Sequence, residues 1–408
     1  MSVPRLRQAI KGRVGSTIKG LTRRWRQTLL RFARRQKVEL RGGNTVSLFT
    51  CHGPLLAATR ALIAQARRTL DVEMYIWSDD EVGNEIAELI RAACGRGVAV
   101  RVVYDALGCL AGAAHIESLA QCGAQVHAFH PVVPWRWRGN PNDRNHRKLV
   151  LVDDTAAVLS SGNWGLDYDS DRNPGCFVDV GFAAVGPLVE DLALDFRTVW
   201  REKVGETLPP PQPPRGDLAL PGAPMTGVTA QVVSGLTRGD RDAIRRLYLL
   251  LFGSASREIW LANAYFVPGR RFLRALRSAA SRGLEVHIVV PGKSDVQWVQ
   301  AATRSIYEPL LRSGARIYER QARMMHAKVA LLDGQVAVVG SANLDPRSFL
   351  HNLELTVNLH DPRVVEELHR FVDQEIEESI EVRLEDVESW PFYTKLVRRF
   401  AYAFAYWL

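Results

Sequence analysis

The chain has 408 residues, 47% of them hydrophobic, with 53 Lys and Arg against 44 Asp and Glu for a formal net charge of +9. That length suits two to three domains, and no apolar run approaches the roughly 18 residues of a conventional membrane span. Residues 1–41 hold thirteen Lys or Arg and one acid, residues 393–408 hold three basic residues and none, and the body between is slightly acidic, which argues against a nucleic-acid-binding domain.

At the start, Val3, Leu6, Ile10, Val14, Ile18, Leu21, Trp25, Leu29 and Phe32 recur at helical steps among Arg and Lys. This predicts a basic amphipathic segment over residues 1–42 that can lie in a membrane interface. Gly12, Gly15 and Gly20 weaken it in water. A solvated tail, an arm packed on the body and a transit peptide are the alternatives; there is no signal-peptide apolar core.

The region 43–205 opens on "RRTLDVEMYIW", a helical stretch near Val82–Cys94, and a β-branched run Val98–Tyr104. The region 229–390 repeats this as "SREIWLANAYFVP", a helical stretch Arg270–Ser281, and Leu284–Val290. Strands alternating with helices predict a duplicated α/β fold, each unit a mixed, mostly parallel sheet flanked by helices. Between them, residues 206–228 carry seven prolines from Pro209 to Pro224 and are read as a stiff linker. The five cysteines (Cys51, Cys94, Cys109, Cys122 and Cys176) are odd in number and lack a Cys-x-x-Cys pair, so free thiols are expected. Trp135, Arg136, Trp137 and Arg138 form a loop suited either to lipid or to ordinary packing. The segment 391–408 places Phe392, Leu396, Phe400, Phe404 and Leu408 four apart, as an aromatic helix for a membrane interface or a packed terminal helix.

Each half also carries one polar pattern. "RNHRKLVLVDDTAAVLSSGNW" spans Arg144–Trp164 and "MMHAKVALLDGQVAVVGSANLD" spans Met324–Asp345. Both read as a strand, a tight turn and a returning strand. Two-residue turns at Asp154–Thr155 and Gly334–Gln335 place Asn163 opposite His146 and Ser161 opposite Lys148, with Asn343 and Ser341 likewise opposite His326 and Lys328. Histidine can act as nucleophile or acid/base near neutral pH, and lysine and asparagine donate to anionic oxygens. Two such sets provide a histidine for each side of an in-line displacement at phosphorus. Asp153 and Asp333 fall at the far ends of the strands, where they read as structural.

His146-x-Lys148-x4-Asp153 and His326-x-Lys328-x4-Asp333 resemble the paired HKD motifs of the phospholipase D superfamily. Within it the chain is most similar to bacterial cardiolipin synthases of the B group over roughly residues 43–375, through "VEMYIWSDDEVGNEIAELIRAACGRGVAV", "ANAYFVPGRRFLRALRSAASRGLEV", "VGSANLDPRSFLHNLE" and "VGPLVEDL". The resemblance implies two phospholipase D-like domains with the active site at their interface. It implies a catalytic set of His146, Lys148, Asp153, His326, Lys328 and Asp333. Lys148, Ser161, Asn163, Lys328, Ser341 and Asn343 would bind phosphate, and Asp179 and Glu354 would orient the histidines. The implied chemistry makes cardiolipin from two phosphatidylglycerols through a phosphatidyl-histidine, with His146 as nucleophile and His326 as acid/base, and requires no metal or cofactor. The expected partners are anionic phospholipid and a membrane surface, at the cytoplasmic face of a bacterial inner membrane, and no nucleic acid. A hydrolase or head-group exchange enzyme of the same chemistry, a nuclease and a non-catalytic scaffold are the alternatives. Two departures stand out: Ser160 where the family has Gly, and "WGLDYDSDRNPGC" after Asn163.

Overall fold

The computed structural model describes residues 21–131, 142–213, 218–235 and 242–404. Fifteen strands form one sheet. They are β1 (Arg41–Phe49), β2 (Thr69–Met74), β3 (Ala99–Asp105), β4 (Gln125–Phe129), β5 (Leu149–Val152), β6 (Ala156–Ser160), β7 (Gly181–Val185), β8 (Met225–Ser234), β9 (Glu258–Asn263), β10 (Glu285–Pro291), β11 (Arg316–Arg320), β12 (Lys328–Leu332), β13 (Val336–Gly340), β14 (Leu355–His360) and β15 (Ser379–Glu381). Across the sheet the order is β15-β11-β10-β9-β12-β13-β14-β8-β1-β7-β6-β5-β2-β3-β4. The antiparallel β1–β8 pair sits at the middle, and the seven strands outward from β1 repeat in kind outward from β8. The duplicated α/β architecture expected from the repeats is therefore present, as two halves of one continuous sheet.

One detail of that expectation is corrected. Parallel pairing is confined to β2–β3–β4 and β9–β10–β11; the other pairs are antiparallel. The reason is local: the motif hairpins β5–β6 and β12–β13 have connections too short for a parallel crossover, and they occupy the centre of each half.

The hairpin register also differs from expectation by one residue. Leu149 pairs with Leu159 and Val329 with Val339, which sets Lys148 opposite Ser160 and Lys328 opposite Gly340. Asp153 and Asp154 (φ 55° and 53°), and Asp333 and Gly334 (φ 53° and 66°), form the turn centres, leaving Thr155 and Gln335 as an added third loop residue. Thr155 N and Gln335 N each donate to the residue three back at 2.9 Å. A one-residue slip exchanges the faces of a strand, so Ser161 and Ser341 leave the side of their own lysines.

One core layer is shared by both halves, uniting Leu149, Leu151 and Phe182 with Val329, Leu331 and Val357 under the helices Pro187–Val204 and Pro362–Glu377. Separate cores under the outer face of each half take the helices His52–Gln65 and Glu81–Gly95, or Ala243–Ser254 and Arg270–Ser281. The helix Arg23–Gln36 belongs to the second of these. Its Trp25, Leu29 and Phe32 are buried there, and Trp25 Nε1 donates to Asp333 at 3.1 Å. This end of the apolar stripe is thus an arm packed on the body, because it completes an apolar surface of the second half; Val3 to Ile18 lie outside the described residues. The proline-rich stretch runs along the body, with Gln212 N donating to Asp154 at 3.0 Å. All five cysteines are free. Among the described residues no helix is long and apolar enough to cross a membrane.

Candidate active site

Two short backbone clips build the site. His146 N donates to Leu353 O at 3.0 Å and Leu353 N to Arg144 O at 2.7 Å; His326 N donates to Val178 O at 2.8 Å and Val178 N to Met324 O at 2.9 Å. Each histidine segment is thereby held beside the segment of the other half, one residue before a carboxylate. His146 Nδ1 lies 3.1 Å from Glu354, and His326 Nδ1 lies 2.8 Å from Asp179. Both orienting carboxylates named from the sequence reach a histidine, and each does so across the interface between the halves. With Nδ1 donating to the carboxylate, Nε2 is the ring nitrogen that carries the lone pair.

The serines serve the carboxylates. Ser161 Oγ donates to Asp179 at 2.5 Å, and Ser341 Oγ donates to Glu354. Their hydroxyls are engaged there and neither serine is among the residues lining the cavity, away from where phosphate-holding groups were expected; the register slip is the cause. Asp153 and Asp333 lie where their positions in the hairpins predicted, apart from the catalytic set that the resemblance implied. They stand at the far ends of β5 and β12, where Asp153 accepts from the backbone of Arg67, Arg68 and Thr69 and Asp333 from that of Ser256, Arg257 and Glu258. They close strand ends and do not reach the histidines.

Lys148 and Lys328 are buried behind the histidines. Lys148 Nζ donates to His146 O at 2.7 Å, and Lys328 Nζ lies 3.1 Å from both ring nitrogens of His326. Asn163 and Asn343 line the cavity. Asn163 Nδ2 donates to Tyr168 at 2.7 Å, whereas Asn343 Oδ1 is buried with no hydrogen-bond partner.

The electrostatics of the two pairs differ. Burial lowers the His146 imidazole well below its ordinary value, aided by Lys148 and Lys328, and raises Glu354 to about 7 against the pull of Lys148. Burial also lowers His326, but Asp179 opposes it. Burial works to raise Asp179; His326 and Lys328 outweigh it and hold the carboxyl below the usual range. Lys328 is brought down to about 8 by burial. Removing charge from water disfavours it unless a partner compensates, and Asp179 is the better compensated carboxylate.

Both histidines open into one cavity of about 330 Å³, also lined by Tyr75, Tyr168, Tyr265, Asp295, Asp345 and Arg347. These six were missed from the sequence. Tyr75 stands edge-on to His146 at 4.6 Å, and Tyr168 to His326 at 5.4 Å. A signal existed: "MYIW" and "NAYF" end the repeated strands β2 and β9, so their residues had to arrive beside the hairpins. Trp135 to Arg138 lie outside the described residues. Among the described residues no group of three or more His, Cys, Asp or Glu is placed to hold a metal ion.

Comparison with known proteins follows the same lines. The family model described as cardiolipin synthase, PLD-like domain, matches residues 59–172 and 248–376. Cardiolipin synthase B of Escherichia coli (strain K12) is 32% identical over 342 residues, 80% of this chain and 78% of that one. Cardiolipin synthase 2 of Bacillus anthracis is 33% identical over 325 residues, 79% of this chain; the match spans 63% of that longer relative. Among solved structures, phosphatidylserine synthase of Haemophilus influenzae Rd KW20 superposes with a TM-score of 0.65 at 14% identity, covering 93% of this chain and 97% of that one, a likeness of fold. The two matched halves are the ones that carry His146 and His326, and the chain belongs to the cardiolipin synthase family of PLD-like proteins.

Proposed function

We propose that the protein is a phosphatidyl transferase that makes cardiolipin from two molecules of phosphatidylglycerol. The observation that carries this reading is the crossed arrangement of two buried His–carboxylate pairs opening into one cavity. His146 Nε2 attacks the lipid phosphorus; the P–N bond forms as the P–O bond to glycerol breaks, and His326 supplies the proton to that leaving oxygen. His326 then takes the proton of the acceptor's glycerol hydroxyl, whose oxygen displaces His146 from phosphorus. Splitting one displacement into two is what a covalent nucleophile contributes. Lys148, Lys328, Asn163 and Asn343 hold the non-bridging oxygens through their N–H groups.

The electrostatics support this order of roles. An ionised Asp179 stabilises the imidazolium that an acid/base cycle requires at His326, while His146, beside a Glu354 raised to about 7, is kept neutral for attack. The substrate is read from the named relatives and the cavity together. The test supplies purified protein with phosphatidylglycerol in mixed micelles. Glycerol and cardiolipin in equal amounts are expected; phosphatidic acid as the sole lipid product would assign a hydrolase instead.

A further inference from the structure

The helix Phe392–Phe404 is packed inside out. Its polar groups face the protein: Lys395 Nζ donates to Glu388 O at 2.8 Å, Arg398 lies 3.6 Å from the centre of the Trp390 ring, and Tyr402 donates to Pro268 O at 2.7 Å. Its large apolar groups face away. Phe392, Tyr393, Leu396, Val397, Phe400 and Phe404 are 47–78% exposed, and the buried position is Ala401. A helix on a water-facing surface ordinarily shows the reverse pattern, and a contiguous apolar patch of this kind marks an interaction site.

Its place in the molecule indicates the partner. The helix lies against Gln297–Ser305, whose Val299 lines the active-site cavity and whose Trp298 is 56% exposed. On the first half, the equivalent loop after β3 exposes Leu107 and Leu110, and its Cys109 Sγ donates to the carbonyl of the cavity residue Tyr75. Of the large apolar side chains exposed among the described residues, only Leu194 and Ile380 fall outside the terminal helix, Val296–Trp298 and this loop. The exposed apolar surface is thus gathered at the cavity's rim. Basic charge flanks it. The terminal helix carries an exposed Arg399 and no acid, and Arg270, near enough to act on the Tyr402 hydroxyl, begins a row with Arg271, Arg274 and Arg277, all exposed. Apolar and aromatic side chains beside arginine match the boundary of an anionic bilayer. A second copy docked by a two-fold axis would set this basic row near its own image, so charge favours the lipid surface.

We propose that this rim, with the helix Phe392–Phe404 as its main element, seats the protein on an anionic phospholipid bilayer with the cavity mouth facing the lipid. That the cavity takes lipid rests on the function proposed above; the docking surface itself rests on the exposed face and its charge.

The test uses the full chain and vesicles of phosphatidylcholine and phosphatidylglycerol in equal parts. The variant Leu396→Asp/Phe400→Asp should bind vesicles about tenfold more weakly or worse, since two apolar side chains no longer leave water. Its turnover of a short-chain phosphatidylglycerol kept monomeric in solution should match the wild type. Phe392→Ser/Tyr393→Ser is the milder second variant and should weaken binding in the same direction with an unchanged melting temperature. Undiminished vesicle binding by both variants overturns the proposal. So does a wild-type dimer that both variants convert to monomers with vesicle binding intact, which assigns the face to a second copy. A wild type that binds vesicles through this face yet consumes no phosphatidylglycerol supports the docking surface and removes the proposed reaction.

Discussion

In the first half, the strand that presents His146 and Lys148 is anchored by buried charge. Arg147, fully buried between them, reaches Glu73 on β2 at 3.3 Å and bonds Asp195, which accepts from Ser234 of the second half at 2.6 Å; Asn145 donates to Glu73 at 2.9 Å. In the second half the matching positions are Ala327 and Ala262, both part of the shared apolar core. A second contrast concerns glycine. A side chain at Gly340 would meet Leu355 O at 2.3 Å, so β13 needs glycine there, opposite Thr356. In the first half the glycine is on the other strand: Ser160 faces Gly181, whose side chain would meet Leu159 O at 2.7 Å. The departure at Ser160 is therefore compensated across the ladder. The groups at the reaction end are duplicated in type, as the proposed two-step chemistry would require. The supports behind them had only to hold the same backbone and were free to use charge in one half and packing in the other.

The sharpest way to break this comparison is through the histidines. His146→Ala and His326→Ala should each lower turnover by about 10²–10⁴-fold or more. Only His326→Ala should still form the covalent adduct with a donor whose leaving alcohol is acidic enough to depart unprotonated, read by mass spectrometry of quenched enzyme. Adduct in His146→Ala instead would exchange the two roles.

Next come the carboxylates. Asp179→Asn should cost about 10²-fold in kcat, and Glu354→Gln roughly tenfold less, because Glu354 is pushed up to about 7 and its charge is the weaker one. Equal losses would erase the electrical distinction between the halves.

Arg147→Met tests the supports. It leaves Glu73 and Asp195 buried without their cation and should cost about 3–5 kcal/mol in denaturant unfolding. The reciprocal change Ala327→Ser, in a half without such a network, should cost about 1–3 kcal/mol for one buried hydroxyl.

The smallest effects concern the strand-end aspartates and pH. Asp333→Asn and Asp153→Asn should lower stability by about 1–3 kcal/mol each, through weakened backbone N–H bonds, with kcat changed less than the histidine variants by far. Loss of activity in folded Asp333→Asn would return it to the reacting groups. For pH, both lysines must be protonated to hold phosphate, and burial brings Lys148 well below its ordinary value and Lys328 to about 8, so kcat/KM falls on the alkaline side as these groups lose their protons. His146, lowered by burial, must be neutral to attack, so the acid limb lies below the ordinary imidazole range, whereas His326 must carry the proton it gives to the leaving oxygen and so joins the alkaline limb.

Much of the site was legible. His146, Lys148 and Asn163, with His326, Lys328 and Asn343, follow from spacing within two short segments, and Asp179 and Glu354 from a resemblance. Their pairing was not legible: His146 takes Glu354, 208 residues away, and His326 takes Asp179, 147 residues away. The serines' duty turned on a single extra loop residue, since the same hairpin with a two-residue turn would have sent Ser161 and Ser341 to the other face.

By itself, the sequence determined two strand–turn–strand units with matching polar ends, because strand periodicity, turn chemistry and residue spacing act over a few neighbouring positions. Only the tertiary structure decided that each histidine is served by the opposite half and that the terminal helix turns its apolar face outward. Those outcomes depend on contacts between segments far apart in the chain. No local propensity encodes which buried partner a side chain meets once the halves close on one sheet.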